Sequence, residues 1–261
     1  LSEMESNNLS FEKALSQAKE LGFAEPDPTN DIKGFDARYK LVILTYLITG
    51  HWLSPEQITL EGIDHLELAD FEYARRMGRE IKLIANLRLF EQGIQVYVLP
   101  LMIKKDEMLA KISGSTNAIT LSGKFSEDIT LIGKGAGSLP TASAIVSDLN
   151  KVLRHPEPFP PPPITSKLLL ESIENIRFRH TLRFEVRDHP GIFGHIGSIF
   201  ERHSINIYAL EQLPQYHRIG KEGEEIVIFT LTIQDCIEGL VIKALKEINQ
   251  AEYMLKPVVL L

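Results

Sequence analysis

Four carboxylates, Glu25, Asp27, Asp31 and Asp36, crowd into twelve residues near the start of the chain, and Lys40 follows Asp36 by four positions. On a helix that spacing sets Asp36 and Lys40 on one face, one turn apart. Carboxylates in such a group anchor a small ammonium, and a lysine beside them moves a proton. The same pair is also the ordinary arrangement of a surface ion pair, worth about 0.3–0.5 kcal/mol. Position favours the chemical reading, because Lys40 abuts the apolar run LVILTYLI at 41–48. That run predicts a helix crossing the core and a partly desolvated amine.

Two further clusters combine glycine with a helix start. GKGAGSLPTASAIVSDL at 133–149 places three alternate glycines before Pro140, a backbone that a ligand can approach closely at a positive helix end. A plain structural turn uses the same residues, and the GxGxxG dinucleotide fingerprint is absent from these 261 residues. VRDHPGIFGHIGSIFERHSINI at 186–207 ends a strand and opens a helix whose free amides suit a carboxylate, although strand-to-helix turns share this composition. His189, His195 and His203 do not stand at zinc-ligand spacing, so no metal site is assigned.

These side chains need elements to hold them. Phe11, Ala14, Leu15, Ala18 and Leu21 recur at helical spacing after Ser10, a candidate N-cap, and the helix stops at Gly22. One helix is predicted over 31–49, stopped by Gly50, and another over 69–77. Strands are predicted from Ile81 to Leu89 by alternation, then at 94–99, 117–121 and 129–132. PEPFPPPP at 156–163 puts six of the fourteen prolines in eight residues, which no helix or central strand can traverse. It reads as a semi-rigid spacer. After it, Leu182, Phe184 and Val186 alternate with Arg183, Glu185 and Arg187, predicting a strand with one wet face. A helical stripe through Ile192, Ile196, Ile199 and Phe200 follows, then strands at 205–213 and 226–233, a helix from Ile237 to Ile248, and a last apolar segment at 258–261. The order βαββαβ predicts an antiparallel sheet with two helices on one face.

Composition excludes several classes. The formal net charge of −7 argues against a nucleic-acid backbone as partner. The 41–48 run is far shorter than the roughly 20 residues of a membrane helix. A single cysteine, Cys236, excludes an internal disulfide and points to a reducing compartment, so the expected location is cytoplasmic. The chain opens on Leu1 in LSEMESNN, which reads as the tail of an element that began earlier.

GFAEPDPTNDIKGFDARYK at 22–40 resembles the substrate-binding signature of the homoserine dehydrogenase family, GKGAGSLPTASAIVSDL resembles that family's late glycine loop and helix, and the 186–207 segment looks like the opening of an ACT domain. The resemblance covers nearly the whole chain from about Leu9 onward. It implies an α+β chain: a mixed α/β substrate-binding and dimerisation domain at 1–154, a proline-rich linker at 155–176, and a ferredoxin-like ACT regulatory domain at 177–261. The implied reaction is NAD- or NADP-dependent interconversion of L-homoserine and L-aspartate 4-semialdehyde, in the synthesis of threonine, methionine and isoleucine. Matching positions make Lys40 the proton donor or acceptor with Asp36 beside it, Glu25 the holder of the substrate ammonium, Asp31 a support for the pocket, and Phe23 a neighbour of the substrate. Gly135 and Gly137 would approach the cofactor near its nicotinamide end, with Thr141 at the helix start of the same cofactor-binding segment. Threonine is the implied effector, at Asp188 and Gly191 with Asn206 contributed across a subunit interface. A homodimer or higher homo-oligomer is expected. The family's dinucleotide-binding domain, second catalytic lysine and monovalent-cation site lie upstream of the matched residues, so the chain is expected to be inactive alone. The competing reading is a non-catalytic amino-acid-sensing or assembly module.

Overall fold

The computed structural model describes residues 1–91, 93–135, 137–155, 157, 169–221 and 223–261. All of the proline run at 156–163 except Glu157 lies outside them. The chain divides into two compact units, one of Leu1–Ala85 with Val98–Ser166, the other of Asn86–Tyr97 with Lys167–Leu261.

The first unit begins with helices α1 (Ser2–Asn7), α2 (Phe11–Glu20), α3 (Thr29–Ile32) and α4 (Phe35–Thr49). The Ser10 side chain accepts from the Lys13 amide and caps α2. The single helix predicted over 31–49 is two helices, broken at Gly34. There φ is 77°, and a β-carbon would lie 2.9 Å from Leu60 Cδ1, so the chain turns where only glycine fits. Within α4 the buried stripe is Leu41, Val42, Thr45 and Thr49, while Ile43, Leu47 and Ile48 are exposed. The helix is therefore not covered all round, contrary to the expectation from its uniformly apolar run. Thr45 and Thr49 are tolerated inside because their hydroxyls donate to the Leu41 and Thr45 carbonyls at 2.8 and 2.7 Å.

Next come β1 (Thr59–Leu60), α5 (Leu68–Arg76), β2 (Arg79–Phe90) and β3 (Gly93–Lys104), then the antiparallel pair β4 (Thr116–Gly123) and β5 (Ser126–Lys134), and α6 (Ser138–Arg154). The β2–β3 tip, Asn86–Tyr97, belongs to the second unit. Strand order in this sheet is β1-β3-β2, with β6 (Leu169–Leu170) parallel to β3 at Gly93 and Ile94. Residues 169–175, expected in the linker, thus carry a short strand and a 3-10 turn at Ile173–Asn175.

In the second unit, β7 (Arg177–Phe178), β8 (Thr181–Arg187), α7 (Ile192–Arg202), β9 (Ile207–Ile219), β10 (Glu225–Ile233), β11 (Cys236–Ile237), α8 (Glu238–Ile248) and β12 (Val259–Leu260) follow in turn. The main sheet has the order β12-β8-β10-β9 and is antiparallel throughout, the ferredoxin-like arrangement. Leu182, Phe184 and Val186 meet Leu231, Phe229 and Val227 across the sheet and bury against the stripes of α7 and α8. The other face of β8 is not wet: Arg183 and Glu185 are also buried. Glu185 persists there because Arg218 and Lys256 both pair with its carboxylate, Lys256 at 2.8 Å. Among the described residues no helix is long and apolar enough to cross a membrane.

Candidate active site

The break at Gly34 sets the geometry of the acidic cluster. Asp31 stands on α3, Asp36 in the first turn of α4, and Lys40 one turn further on. Gly62 holds the end of α3 closely: a β-carbon there would approach the Ile32 carbonyl to 2.6 Å, and the next amide, of Ile63, donates to that same oxygen at 2.8 Å. The Lys40 Nζ donates to Asp36 Oδ2 at 2.6 Å. Their side chains are 56% and 48% exposed, so the amine is not buried as its neighbours predicted. Helical geometry explains this, since each step turns about 100° and Leu41 and Val42 take the inward positions.

The carboxylates act on one another. Asp31 is held above the usual carboxylate range, first by partial burial, then by the charges of Asp36 and Glu25, with Lys40 opposing. Asp31, Asp36, Glu25 and Lys40 therefore form one electrostatic neighbourhood. Asp27 plays a different part. It accepts from the Thr29 amide at 3.1 Å and the Thr29 hydroxyl at 2.5 Å, which hold its pKa low and fix the entry to α3. Phe23 is exposed on the loop between α2 and α3.

Sequence reading missed Asp64, which accepts from Lys33 Nζ at 2.7 Å and is held below its usual range chiefly by that bond. The two lie 31 residues apart, so no local pattern announces them.

A folded-state pKa raised above its ordinary value makes Asp31 stabilising only while protonated. That contribution is complete below about pH 3.9, the unperturbed aspartate value, and is lost as pH rises through the folded value. Asp31→Asn is therefore expected to raise the melting temperature at pH 7, with the difference vanishing below about pH 3.9. Thermal unfolding followed by circular dichroism across pH checks this. Equal melting temperatures at every pH would remove the strain assigned to Asp31.

The glycine loop lies between β5 and α6. A β-carbon at Gly135 would fall 1.9 Å from Asn117 Nδ2, so Asn117 would have to turn aside, and Gly137 has φ 121° at the helix N-cap, where a side chain is strained. The Gly135 amide donates to the Ser115 carbonyl at 3.2 Å, and the Thr141 hydroxyl turns back to the Gly137 carbonyl at 2.9 Å. Bare backbone at these glycines lets a ligand approach closely, and Lys134, at the end of β5 beside Gly135, donates to Ser115 Oγ at 3.3 Å.

In the second unit, Asp188 and Gly191 flank the turn into α7, where Gly191 has φ 98° at the N-cap. Asn206 is not with them in the same chain. Its backbone and side chain meet Gln234, beyond the far end of β10, whereas the Asp188 amide donates to the Glu225 carbonyl at the near end. Eight strand steps from Glu225 to Ile233 separate those ends by roughly 26 Å.

The family model described as homoserine dehydrogenase matches residues 1–149, and the model described as the ACT domain matches residues 180–250. The chain belongs to the homoserine dehydrogenase family. A homoserine dehydrogenase of Neisseria gonorrhoeae is 32% identical over 100% of this chain and 61% of its own length. One from Helicobacter pylori is 35% identical over 98% and 59%. Among solved structures, a homoserine dehydrogenase from Thiobacillus denitrificans superposes with a TM-score of 0.85 at 32% identity, covering all of this chain and 60% of that one. One from S. aureus at pH 6.0 gives 0.67 at 28% identity, covering 99% and 61%. The chain thus spans about 60% of the length of these four homoserine dehydrogenases. An α+β fold with an ACT domain is common ground between this chain and that family.

Proposed function

We propose that this chain forms the substrate-binding and regulatory part of an enzyme that interconverts L-homoserine and L-aspartate 4-semialdehyde. The observation that carries the reading is the shared neighbourhood of Glu25, Asp31, Asp36 and Lys40 in a chain of this family. Three carboxylates against one lysine leave net negative charge, which suits the ammonium common to both substrates. Glu25 holds that ammonium, Asp31 supports the pocket and Phe23 lies beside the substrate. Reducing the aldehyde requires a proton at oxygen as a hydride reaches carbon. Lys40, an ammonium hydrogen-bonded to Asp36, supplies the proton and takes it back from the alcohol in the reverse direction.

NAD or NADP, when bound, exchanges the hydride. Gly135 and Gly137 would hold it at its nicotinamide end, while Thr141, its hydroxyl already committed to the Gly137 carbonyl, shapes the turn. Hydride transfer needs the ring about 3–3.5 Å from the reacting carbon. Without the GxGxxG fingerprint among these residues, the chain by itself is proposed not to turn over. The domain division 1–154, 155–176 and 177–261, a homodimeric or larger assembly, and a cytoplasmic location belong to the same reading.

The ACT match favours a second element, binding of an effector amino acid, threonine, at Asp188 and Gly191, with Asn206 supplied by another copy. One experiment separates enzyme from sensor. The full-length protein is assayed for homoserine-dependent NAD(P)H formation with and without threonine, and threonine binding is followed by calorimetry. Turnover that threonine depresses is expected. Threonine heat without turnover would leave the sensing module alone.

A further inference from the structure

We propose that Asp188, His217 and Glu225 form a binding site for a divalent transition-metal ion of the Zn2+ class on the second unit. His217 stands on β9, Glu225 on β10 and Asp188 just past the end of β8, and strand register brings them together. Val186 faces Val227 across β8 and β10, and Val227 faces His217 across β10 and β9. Side chains alternate with period two, so Glu225, two residues before Val227, emerges on the same side as His217. The Asp188 amide donates to the Glu225 carbonyl at 2.7 Å, which carries the pairing one step past β8 and sets Asp188 beside Glu225.

All three therefore share the sheet face that bears α7 and α8, one layer beyond the buried Val186 and Val227. There the apolar core gives way to a carboxylate, an imidazole and a second carboxylate, all exposed. One donor atom from each lies within 4.8 Å of the others, and His217 Nε2 is 3.5 Å from Glu225 Oε2.

Bonds of about 2.0–2.2 Å to one ion require donor separations of roughly 4.4 Å or less, which small torsions of exposed side chains provide. Two carboxylates and one imidazole are the donors that intermediate divalent ions accept, with further positions left to water or a ligand. The flanking arginines do not compete. Arg187 and Arg218 fall at the alternate register positions, on the opposite face, where Arg218 pairs with Glu185. Of these residues only Asp188 belongs to the proposed effector turn, so His217 and Glu225 test the metal site separately from threonine binding.

The test uses the full 261-residue chain after chelator treatment and dialysis. Co2+ is titrated with visible absorption as the readout, and Zn2+ is followed by calorimetry. One equivalent is expected to bind with a dissociation constant in roughly the micromolar range. Binding should shift the His217 imidazole resonances. His217→Gln and Glu225→Gln should each weaken it by on the order of 10²-fold. Both sites are exposed, so each variant should keep the parent circular dichroism and melting temperature. Cys236→Ser controls for the buried thiol and should bind as the parent does. Saturation absent below about 1 mM, or equal binding by the parent and both glutamine variants, would overturn the site.

Discussion

Replacing Lys40 by alanine in the full-length protein is expected to lower turnover of L-homoserine by about 10²–10⁴-fold, the usual contribution of a positioned general acid or base. Alanine is the strongest helix former, and the Lys40 side chain is more than half exposed on α4, so loss of fold is not the expected cause. KM should change less than kcat, because Lys40 is assigned to the reacting oxygen while Glu25 is assigned to the ammonium. Asp36→Asn keeps the size and a hydrogen-bond acceptor but removes the charge opposite the amine, so its loss should be smaller and should alter the pH profile. Partial recovery of Lys40→Ala by a small primary amine would place the missing proton carrier at that position. An unchanged kcat would move proton transfer to another group and leave the Lys40–Asp36 contact as a surface ion pair.

That contact was legible because it is local: an i,i+4 spacing becomes one face of a helix whatever surrounds it. The break between α3 and α4 was not, although Gly34 stands in plain view, since Ile32 and Phe35 keep a helical spacing across it. What disfavours a side chain there is the φ of 77° that the turn between the two helices imposes, with Leu60 packed against it. Alternation along β8 correctly announced a strand and misjudged its second face for the same reason. Arg183 and Glu185 look solvated in sequence, and the cations that make Glu185 tolerable inside, Arg218 and Lys256, come from distant segments. The Asp188, His217 and Glu225 group lay further out of reach, because recognising it requires the register of three strands. Residue types report local geometry, whereas charge compensation and ligand sets are properties of strands once paired.

The second unit should be far more sensitive to Phe229→Ala than to any change at its edge. Phe229 is fully buried and stacks on its cross-strand partner Phe184, with ring centroids 4.9 Å apart and planes 6° apart. Phe193, from α7, meets the same ring edge-on at 4.8 Å. Removing the ring opens a cavity between sheet and helix that these neighbours cannot fill without leaving their own positions, at a cost of about 3–5 kcal/mol. A unit of this size changes its melting temperature by roughly 4–8 °C per kcal/mol, so a fall of about 12 °C or more is expected. Phe193→Ala should cost less, since Phe193 is already 43% exposed and its loss opens the surface rather than the interior. Denaturant titrations of both variants, followed by far-ultraviolet circular dichroism, measure the two costs. If Phe229→Ala costs no more than Phe193→Ala, the ring pair is not the centre of this core. If, in the full-length protein, it unfolds the second unit and threonine heat disappears while homoserine turnover persists, effector binding and chemistry belong to separately folding parts.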